Sequence, residues 1–146
     1  MKTKEVFFMS DNYLYYDYAT SSVCKVKEDI QEYVPDSSMH HFLDHLCILH
    51  GSTLEGRRDA FRILMNKSRF IPIVVNQNPH EIYFPIKSLK DPTNTWICYE
   101  NIEGFIEHKK TCTIVFKDHT CLECEHPQRI KDNIRAIRRY IKTLDL

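Results

Sequence analysis

The sequence predicts an α+β fold: a small antiparallel sheet or partial β-barrel, with a helix at about residues 53–67 and a C-terminal amphipathic helix packed on the sheet. Three observations predict it. Short segments rich in Val, Ile, Phe and Tyr recur along the chain, separated by turn residues, as in consecutive antiparallel strands. Residues 127–146 repeat apolar side chains at helical spacing, opposite a basic face. A length of 146 residues is typical of one compact domain.

The first fifty residues are predicted to contain strands followed by a helix. Residues 4–9 and 12–18 form a predicted strand pair, and residues 22–27 form a third short strand. A helix then follows a polar cap, which can be Asp36, Ser37 or Ser38. Its apolar side chains fall at helical spacing: Met39, Phe42, Leu43 and Leu46.

The clearest local signal is Ser52-Thr53-Leu54-Glu55, which has the form of a capping box. The Ser52 hydroxyl and the Glu55 carboxylate are expected to satisfy backbone donors at the start of the helix over about 53–67. The predicted apolar arc of this helix comprises Leu54, Phe61, Leu64 and Met65. Along its flank lie Arg58, Arg62 and Arg69, while Arg57 falls within the arc, which indicates a structural or interfacial role.

The chain beyond Arg69 is predicted to be mostly strand until its last helix. The predicted strands are 71–75, 82–86, 95–99, 102–108, 111–116 and 121–125. Prolines in the first two indicate sheet edges or strand ends. Pro127 is suited to the first turn of the terminal helix.

The terminal helix has two predicted faces. Its apolar stripe is Ile130, Ile134, Ile137, Ile141 and Leu144. Its basic face is Lys131, Arg135, Arg138, Arg139 and Lys142. Such a face is either a solvated helix surface or a surface that neutralises phosphates, and the sequence alone leaves both interpretations open.

Charge and composition restrict the function further. Twenty Lys and Arg balance twenty Asp and Glu, but residues 1–50 sum to −4 and residues 51–146 to +4, which favours an anionic partner for the later part. There is no apolar stretch long enough for a membrane span and no secretory signal, so we expect a cytoplasmic protein with no membrane partner and with six reduced cysteines.

The sequence contains partial matches to motifs for catalysis or cofactor binding, but each lacks residues that the chemistry requires. Residues 51–58 approach a P-loop, but Arg57 and Arg58 replace its Lys and hydroxyl residue. Cys121 and Cys124 resemble half a zinc site, yet they point to opposite faces of a strand, which favours buried thiols. His41 and His45 could chelate a metal but lack a third ligand. We expect no enzyme activity, cofactor or metal.

The chain from Cys47 onward resembles the ComK family of bacterial competence transcription factors. The resemblance lies in Gly51, Ser52, Gly56, Arg57 and Arg58, then in Pro72 within residues 71–75, Phe84-Pro85, Trp96 beside Ile97 and Cys98, and the hairpin of residues 113–121. It is strongest over residues 46–140 of a single domain spanning 1–146, with a divergent, acidic and Tyr-rich part at residues 1–45.

The resemblance implies a DNA-binding regulator of genetic competence. On this resemblance we expect recognition of paired AT-rich boxes in double-stranded DNA through the minor groove and binding as a homo-oligomer. The members from Bacillus are delivered by an adaptor to a Clp protease, so such an adaptor is a further candidate partner. The basic rows then become candidate DNA contacts: Arg57, Arg58, Arg62, Arg69, Lys131, Arg135, Arg138, Arg139 and Lys142.

A second interpretation is a pleckstrin-like protein- or lipid-interaction module that does not bind DNA. Consecutive strands closed by one amphipathic helix fit that plan as well. The basic helix face would then contact an anionic lipid or an acidic protein.

Overall fold

Two antiparallel sheets form the centre of the computed structural model, which describes residues 11–144. The larger has six strands in the order β3-β2-β1-β6-β5-β4, and the smaller has three in the order β7-β8-β9. The larger sheet comprises β1 (Tyr13–Asp17), β2 (Ser22–Lys27), β3 (Ile30–Pro35), β4 (Ile73–Gln77), β5 (His80–Pro85) and β6 (Thr95–Cys98). The smaller comprises β7 (Ile102–Glu107), β8 (Thr111–Phe116) and β9 (Cys121–Glu125).

Three α-helices within residues 11–144 cover the sheets. α1 (Met39–Leu49) and α2 (Leu54–Met65) lie between β3 and β4 in sequence, and α3 (Pro127–Leu144) follows β9. A short 3-10 turn, Tyr99–Asn101, connects the two sheets. None of the helices in the described part of the chain is long and apolar enough to cross a membrane. The α+β class, the helix before β4 and the packed terminal helix are therefore confirmed.

The β5–β6 part of the six-stranded sheet is buried on both faces. Along β5 and β6, consecutive side chains point to opposite sides, so Tyr83 and Trp96 enter one core while Phe84 and Ile97 enter the other. We call the core beneath the helical hairpin the α1-side core: Leu14, Val23, Leu43, Cys47, Leu54, Ile73, Val75, Tyr83, Trp96 and Cys98.

The second core, which we call the inter-sheet core, joins the large sheet to the small sheet and α3. The small sheet contributes Cys112, Ile114, Phe116 and Cys124, and α3 contributes Ile130, Ile137 and Tyr140. α2 contributes Phe61 and Met65 and also reaches the α1-side core through Leu54. Because α3 supplies fully buried side chains, its orientation is fixed by packing.

The α1–α2 hairpin shows how the sequence sets its helix starts. Ser38 caps α1, and its hydroxyl accepts a hydrogen bond from His41 N at 3.0 Å. α2 is capped by Thr53, whose Oγ1 accepts from Gly56 N at 3.0 Å; the predicted capping-box role of Ser52 was wrong by one residue. The prediction that Leu64 belongs to the apolar arc was also wrong. Leu64 is exposed, because the buried face of α2 contains only Leu54, Phe61 and Met65.

Most of the predicted strands are confirmed, with shifts of one to three residues. The strand over Ser22–Lys27 is β2, and residues 12–18 contain β1, whose neighbours are β2 and β6. The predicted strand at residues 4–9 lies outside the described residues. β3 was missed, since it is an edge strand whose side chains are mostly exposed and so lacks alternation. The sequence predicted one sheet, whereas the described residues form two separate sheets.

Asp118, in the β8–β9 turn, ties the small sheet to the large one. Its carboxylate accepts hydrogen bonds from Asn12 Nδ2 (2.7 Å), Glu28 N (2.7 Å) and Thr120 Oγ1 (2.6 Å). Burial alone would raise the pKa of Asp118, but these hydrogen bonds outweigh it and lower the pKa to about 2. The ionised carboxylate is therefore part of the connection between the sheets.

Candidate nucleic-acid interface

The most basic element of the fold is α3, which has six Lys and Arg residues and one acidic residue, Asp132. Its opposite side is anchored by Ile130, Ile137 and Tyr140 in the inter-sheet core. Asn133 adds a hydrogen bond from Nδ2 to the carbonyl of Pro85 at 3.4 Å. The predicted basic face, Lys131 to Lys142, therefore lies on the outer side of a fixed helix and extends over about 16 Å at 1.5 Å per residue.

The five basic residues of this face have different surroundings. Lys131 pairs with Glu107 of β7 at 2.9 Å, and Arg135 pairs with Asp132 of its own helix at 3.3 Å. Arg139 and Lys142 are exposed and form no ion pair with any residue of the described range. Exposed ion pairs contribute about 0–1 kcal/mol, so an approaching polyanion can replace the carboxylates.

α2 brings a second row of arginines beside α3. The two helices are in contact, with the rings of Phe61 and Tyr140 stacked at 5.0 Å between centroids. Arg62 is exposed and pairs with Asp59 at 3.5 Å. Arg57 instead donates from Nη2 to the carbonyl of His50 at 3.0 Å, so it braces the α1–α2 connection, as its place in the apolar arc indicated.

Arg58 and Arg69 line a groove of about 160 Å³ together with Ser68, Phe70, Ser88 and Trp96; we call it the Arg58 groove. At its edge the Cζ atom of Arg69 lies 5.1 Å from the Phe70 ring centroid. The Cζ atom of Arg129, in the first turn of α3, lies 4.2 Å from the same centroid. Sequence reasoning missed Arg129, because its position depends on a contact with a residue 59 positions earlier.

Arg138, which is exposed, lines a different cavity, a cleft of about 420 Å³ between α3 and β7 that we call the Glu100 cleft. Ile134 and Ile141 form its α3 wall, and Lys117 also lines it. Glu100 accepts hydrogen bonds at Oε1 from Ile82 N, at 2.9 Å, and Cys98 Sγ, at 3.5 Å, while its buried Oε2 has no partner. Burial raises the pKa of Glu100 to about 7.

The residues that carried the family resemblance mostly shape the backbone. Gly51 has φ of +92°, the left-handed region that favours glycine. A Cβ atom at Gly56 would lie 2.9 Å from Ser52 Oγ and 3.2 Å from Thr53 Oγ1, so glycine leaves room for the cap. Pro72 immediately precedes β4, and Trp96 packs in the α1-side core. Gly51 and Gly56 thus shape the hairpin that carries Arg58, while Pro72 leads into the sheet beneath it and Trp96 lies within that sheet.

The cysteines and histidines are not grouped as a metal site in the described residues, which contain no cluster of three ligand side chains. Cys121 is exposed and Cys124 buried, as their opposite directions in β9 predicted. Burial raises the pKa of the Cys124 thiol to about 12 and that of Cys47 to about 11. Such thiols are protonated at neutral pH and are poor nucleophiles.

Lys67, just beyond α2, is the one lysine in this region with a shifted pKa. Burial lowers the pKa of its ammonium group, and the charge of Asp132 on α3 partly opposes this effect. The Lys67–Asp132 attraction adds an electrostatic link between the end of α2 and the start of α3. The two basic rows therefore lie on elements that are held together by stacking and by charge.

Comparison with known proteins identifies the family. The family model described as ComK protein matches residues 11–132, a segment that runs from the start of β1 into α3. Comparison with the curated proteins and with the solved structures gives no significant match. The matched segment is well over half of the 146 residues, which establishes membership of the family. The members of this family are transcription factors that bind DNA, and they are not enzymes. The chain belongs to the ComK family of competence transcription factors.

Proposed function

We propose that this protein regulates competence genes by binding AT-rich duplex DNA in the minor groove, using the basic surface of α2 and α3. The observation that carries the proposal is the basic face of α3, held outward by the burial of Ile130, Ile137 and Tyr140. A helix fixed on one side by a core presents its cations without further folding. This lowers the entropy cost of binding.

The distribution of charge supports contact with a nucleic-acid backbone. Duplex DNA carries one negative charge per about 1.7 Å of axis, so a face about 16 Å long meets several phosphates. Arginine is also the residue best suited to the narrow, electronegative minor groove of AT-rich DNA. In this proposal the contacts to phosphates or the groove come from Arg58, Arg62, Arg69, Lys131, Arg135, Arg138, Arg139 and Lys142, and Arg57 braces the helix that carries Arg58.

The remaining parts of the proposal follow from the family. The protein acts in the cytoplasm through one ComK-like domain, as a homo-oligomer on paired AT-rich boxes, and its level is controlled by an adaptor that delivers it to a Clp protease. The alternative function is a lipid- or protein-interaction module, in which the same face of α3 contacts another anion.

Fluorescence anisotropy at several salt concentrations tests the proposal, with a labelled AT-box duplex and a GC-rich duplex of equal length. We expect tighter binding to the AT-box duplex. The double variant Arg139→Gln/Lys142→Gln should lower the slope of log K against log[salt] by about 2, at roughly 0.9 per phosphate contact. Lys27→Gln, in β2 at the acidic part of the chain, is the matched control and should leave the slope unchanged.

Vesicles containing phosphatidylserine form the second arm of this experiment. Binding to these vesicles by folded protein, with no binding to either duplex at low salt, would contradict DNA recognition and support the lipid alternative. Equal affinity for the two duplexes would contradict the AT preference alone.

A further inference from the structure

The Arg58 groove has a composition that suits an anion. It is lined by two arginines, Arg58 and Arg69, and by the hydroxyl-bearing Ser68 and Ser88. No acidic side chain is among the described residues that line it. Its remaining wall is apolar, with Trp96 at its base.

Arg129 adds a third guanidinium beside this groove. Its Nη1 donates to the carbonyl of Ile86 at 3.3 Å, and its Cζ stacks 4.2 Å from the centroid of Phe70. These two contacts fix the side chain, because a carbonyl oxygen and an aromatic ring both attract a cation. Most of its five N–H donors remain available. Arg129 is therefore placed for binding, without a carboxylate partner in the described range.

Two guanidinium groups share the ring of Phe70. The Arg69 Cζ atom lies 5.1 Å and the Arg129 Cζ atom 4.2 Å from its centroid, and no carboxylate is paired with either arginine in the described residues. Both positive charges are therefore uncompensated around one ring, and an anion that contacts both would offset their mutual repulsion. Phosphate is the anion that matches the planar fork of arginine best.

We infer that the Arg58 groove binds one phosphate group of the nucleic-acid backbone, with Arg58, Arg69 and Arg129 as its donors. The apolar wall formed by Trp96 and its neighbours then receives the adjoining sugar. This inference rests on the proposed DNA-binding function. It adds Arg129 to the interface and makes Phe70 a positioning residue, which holds Arg129 without touching the phosphate.

The first test compares salt dependences on the AT-box duplex. Arg69→Gln/Arg129→Gln should reduce the slope of log K against log[salt] by about 1, at about 0.9 for the one phosphate contact that is lost, and weaken binding at least tenfold at low salt. Arg129→Lys keeps the charge but loses the planar fork, so it should give an intermediate affinity with a nearly unchanged slope. Phe70→Leu should weaken binding while preserving the slope.

Circular dichroism melting of each variant separates lost contacts from lost folding. Arg58→Gln is the second single variant, since it leaves the stacking on Phe70 intact and should lower the slope by less than about 1, because Arg69 and Arg129 still contact the phosphate. Lys27→Gln again serves as the control. A slope in the folded Arg69→Gln/Arg129→Gln protein equal to that of the unmodified protein overturns the inference, even if DNA binding itself is confirmed.

The second test detects occupation of the groove without DNA. Trp96 is the only tryptophan of the chain and lines the groove, so its fluorescence reports on a bound anion. Pyrophosphate should change the emission of the unmodified protein and leave that of Arg69→Gln/Arg129→Gln unchanged. A response to pyrophosphate in a protein that binds no duplex would overturn the proposed function and assign the groove to a free phosphate compound. If pyrophosphate changes the emission of neither protein, the inference that this groove binds a phosphate group is overturned.

Discussion

The Arg58 groove and the Glu100 cleft are both lined by arginine, yet they offer an anion very different surroundings. No carboxylate lines the groove among the described residues, whereas the cleft contains Glu100 and Glu103 beside Arg138. The groove thus has uncompensated positive charge, and the cleft has charge of both signs. An arginine indicates an anion site only when its neighbours leave its charge uncompensated.

Charge reversal gives the largest expected difference between the two regions. Arg69→Glu should weaken binding to the AT-box duplex by about 100-fold at low salt, because it removes a cation and adds an anion beside Arg58. Arg138→Glu should weaken it by only about fivefold, since carboxylates in the cleft already reduce the field of Arg138. Anisotropy titrations measure both. Equal losses would show that the two regions contribute alike.

Substitution of Asp118 tests what holds one wall of the Glu100 cleft in place. Asp118 follows Lys117, which lines the cleft, and it ties the small sheet to Asn12 and Glu28. Asp118→Ala should lower the free energy of unfolding by about 2–3 kcal/mol at pH 7, as expected for lost hydrogen bonds to a charged group. Urea denaturation measures this loss. Glu125→Ala, an exposed position on β9, should change it by less than about 0.5 kcal/mol.

The pH dependence of that loss follows from the lowered pKa of Asp118, about 2 in the folded protein against 3.8 ordinarily. The stabilisation is present in full above the unfolded pKa and disappears as the pH falls towards the folded pKa. The difference between the unmodified protein and Asp118→Ala should therefore shrink as the pH falls from 4 to 2. A constant difference would mean that the carboxylate acts through shape and not through charge.

The pKa shift of Glu100 has the opposite sign to that of Asp118. Its folded pKa of about 7 exceeds the ordinary 4.5, so the folded protein retains a proton that the unfolded chain releases. Stability from this group is complete below about pH 4.5 and is lost as the pH rises through 7. Between pH 5 and 8 the unmodified protein should lose about 1–2 kcal/mol more than Glu100→Gln in urea denaturation. Parallel curves for the two proteins would rule out ionisation of Glu100.

The smallest effect should appear in DNA binding at the cleft. Below pH 7 Glu100 is protonated, so the cleft is more positive and Arg138 is a better phosphate contact. Affinity for the AT-box duplex should rise by about twofold from pH 8 to pH 6 relative to Glu100→Gln, which differs from the unmodified protein only at this carboxyl group. An identical pH profile in the two proteins would exclude the cleft from the interface.

Elements with regular patterns could be predicted from the sequence. The stripe beginning at Ile130 gave α3 and its basic face, and the alternation in β8 and β9 gave a hairpin with Cys124 inside and Cys121 outside. The helix α2 was also predicted, although its cap is Thr53 and Leu64 is outside. Local chemistry and period determine such elements.

What could not be predicted depends on tertiary contacts. β3 is an edge strand with an irregular pattern, and the division into two sheets is decided by pairing across long sequence distances. The Arg58 groove joins the β5–β6 connection to Phe70, and Phe70 in turn stacks on Arg129. Basic residues could be listed from the sequence as candidates, but which of them share a groove depends on the fold.

The burial of β5 and β6 on both faces of the large sheet has a kinetic consequence. Strands β5 and β6 are enclosed by the two cores, so their backbone amides should exchange with deuterium only when the whole domain unfolds. β3, at the exposed edge, should exchange through local fraying. α2 and α3 both contribute side chains to the inter-sheet core, which also contains Phe84 of β5 and Ile97 of β6, so the spacing between Arg58 and Arg129 is set for as long as the domain stays folded. In the proposed interface, the guanidinium groups are therefore held in register before DNA binds.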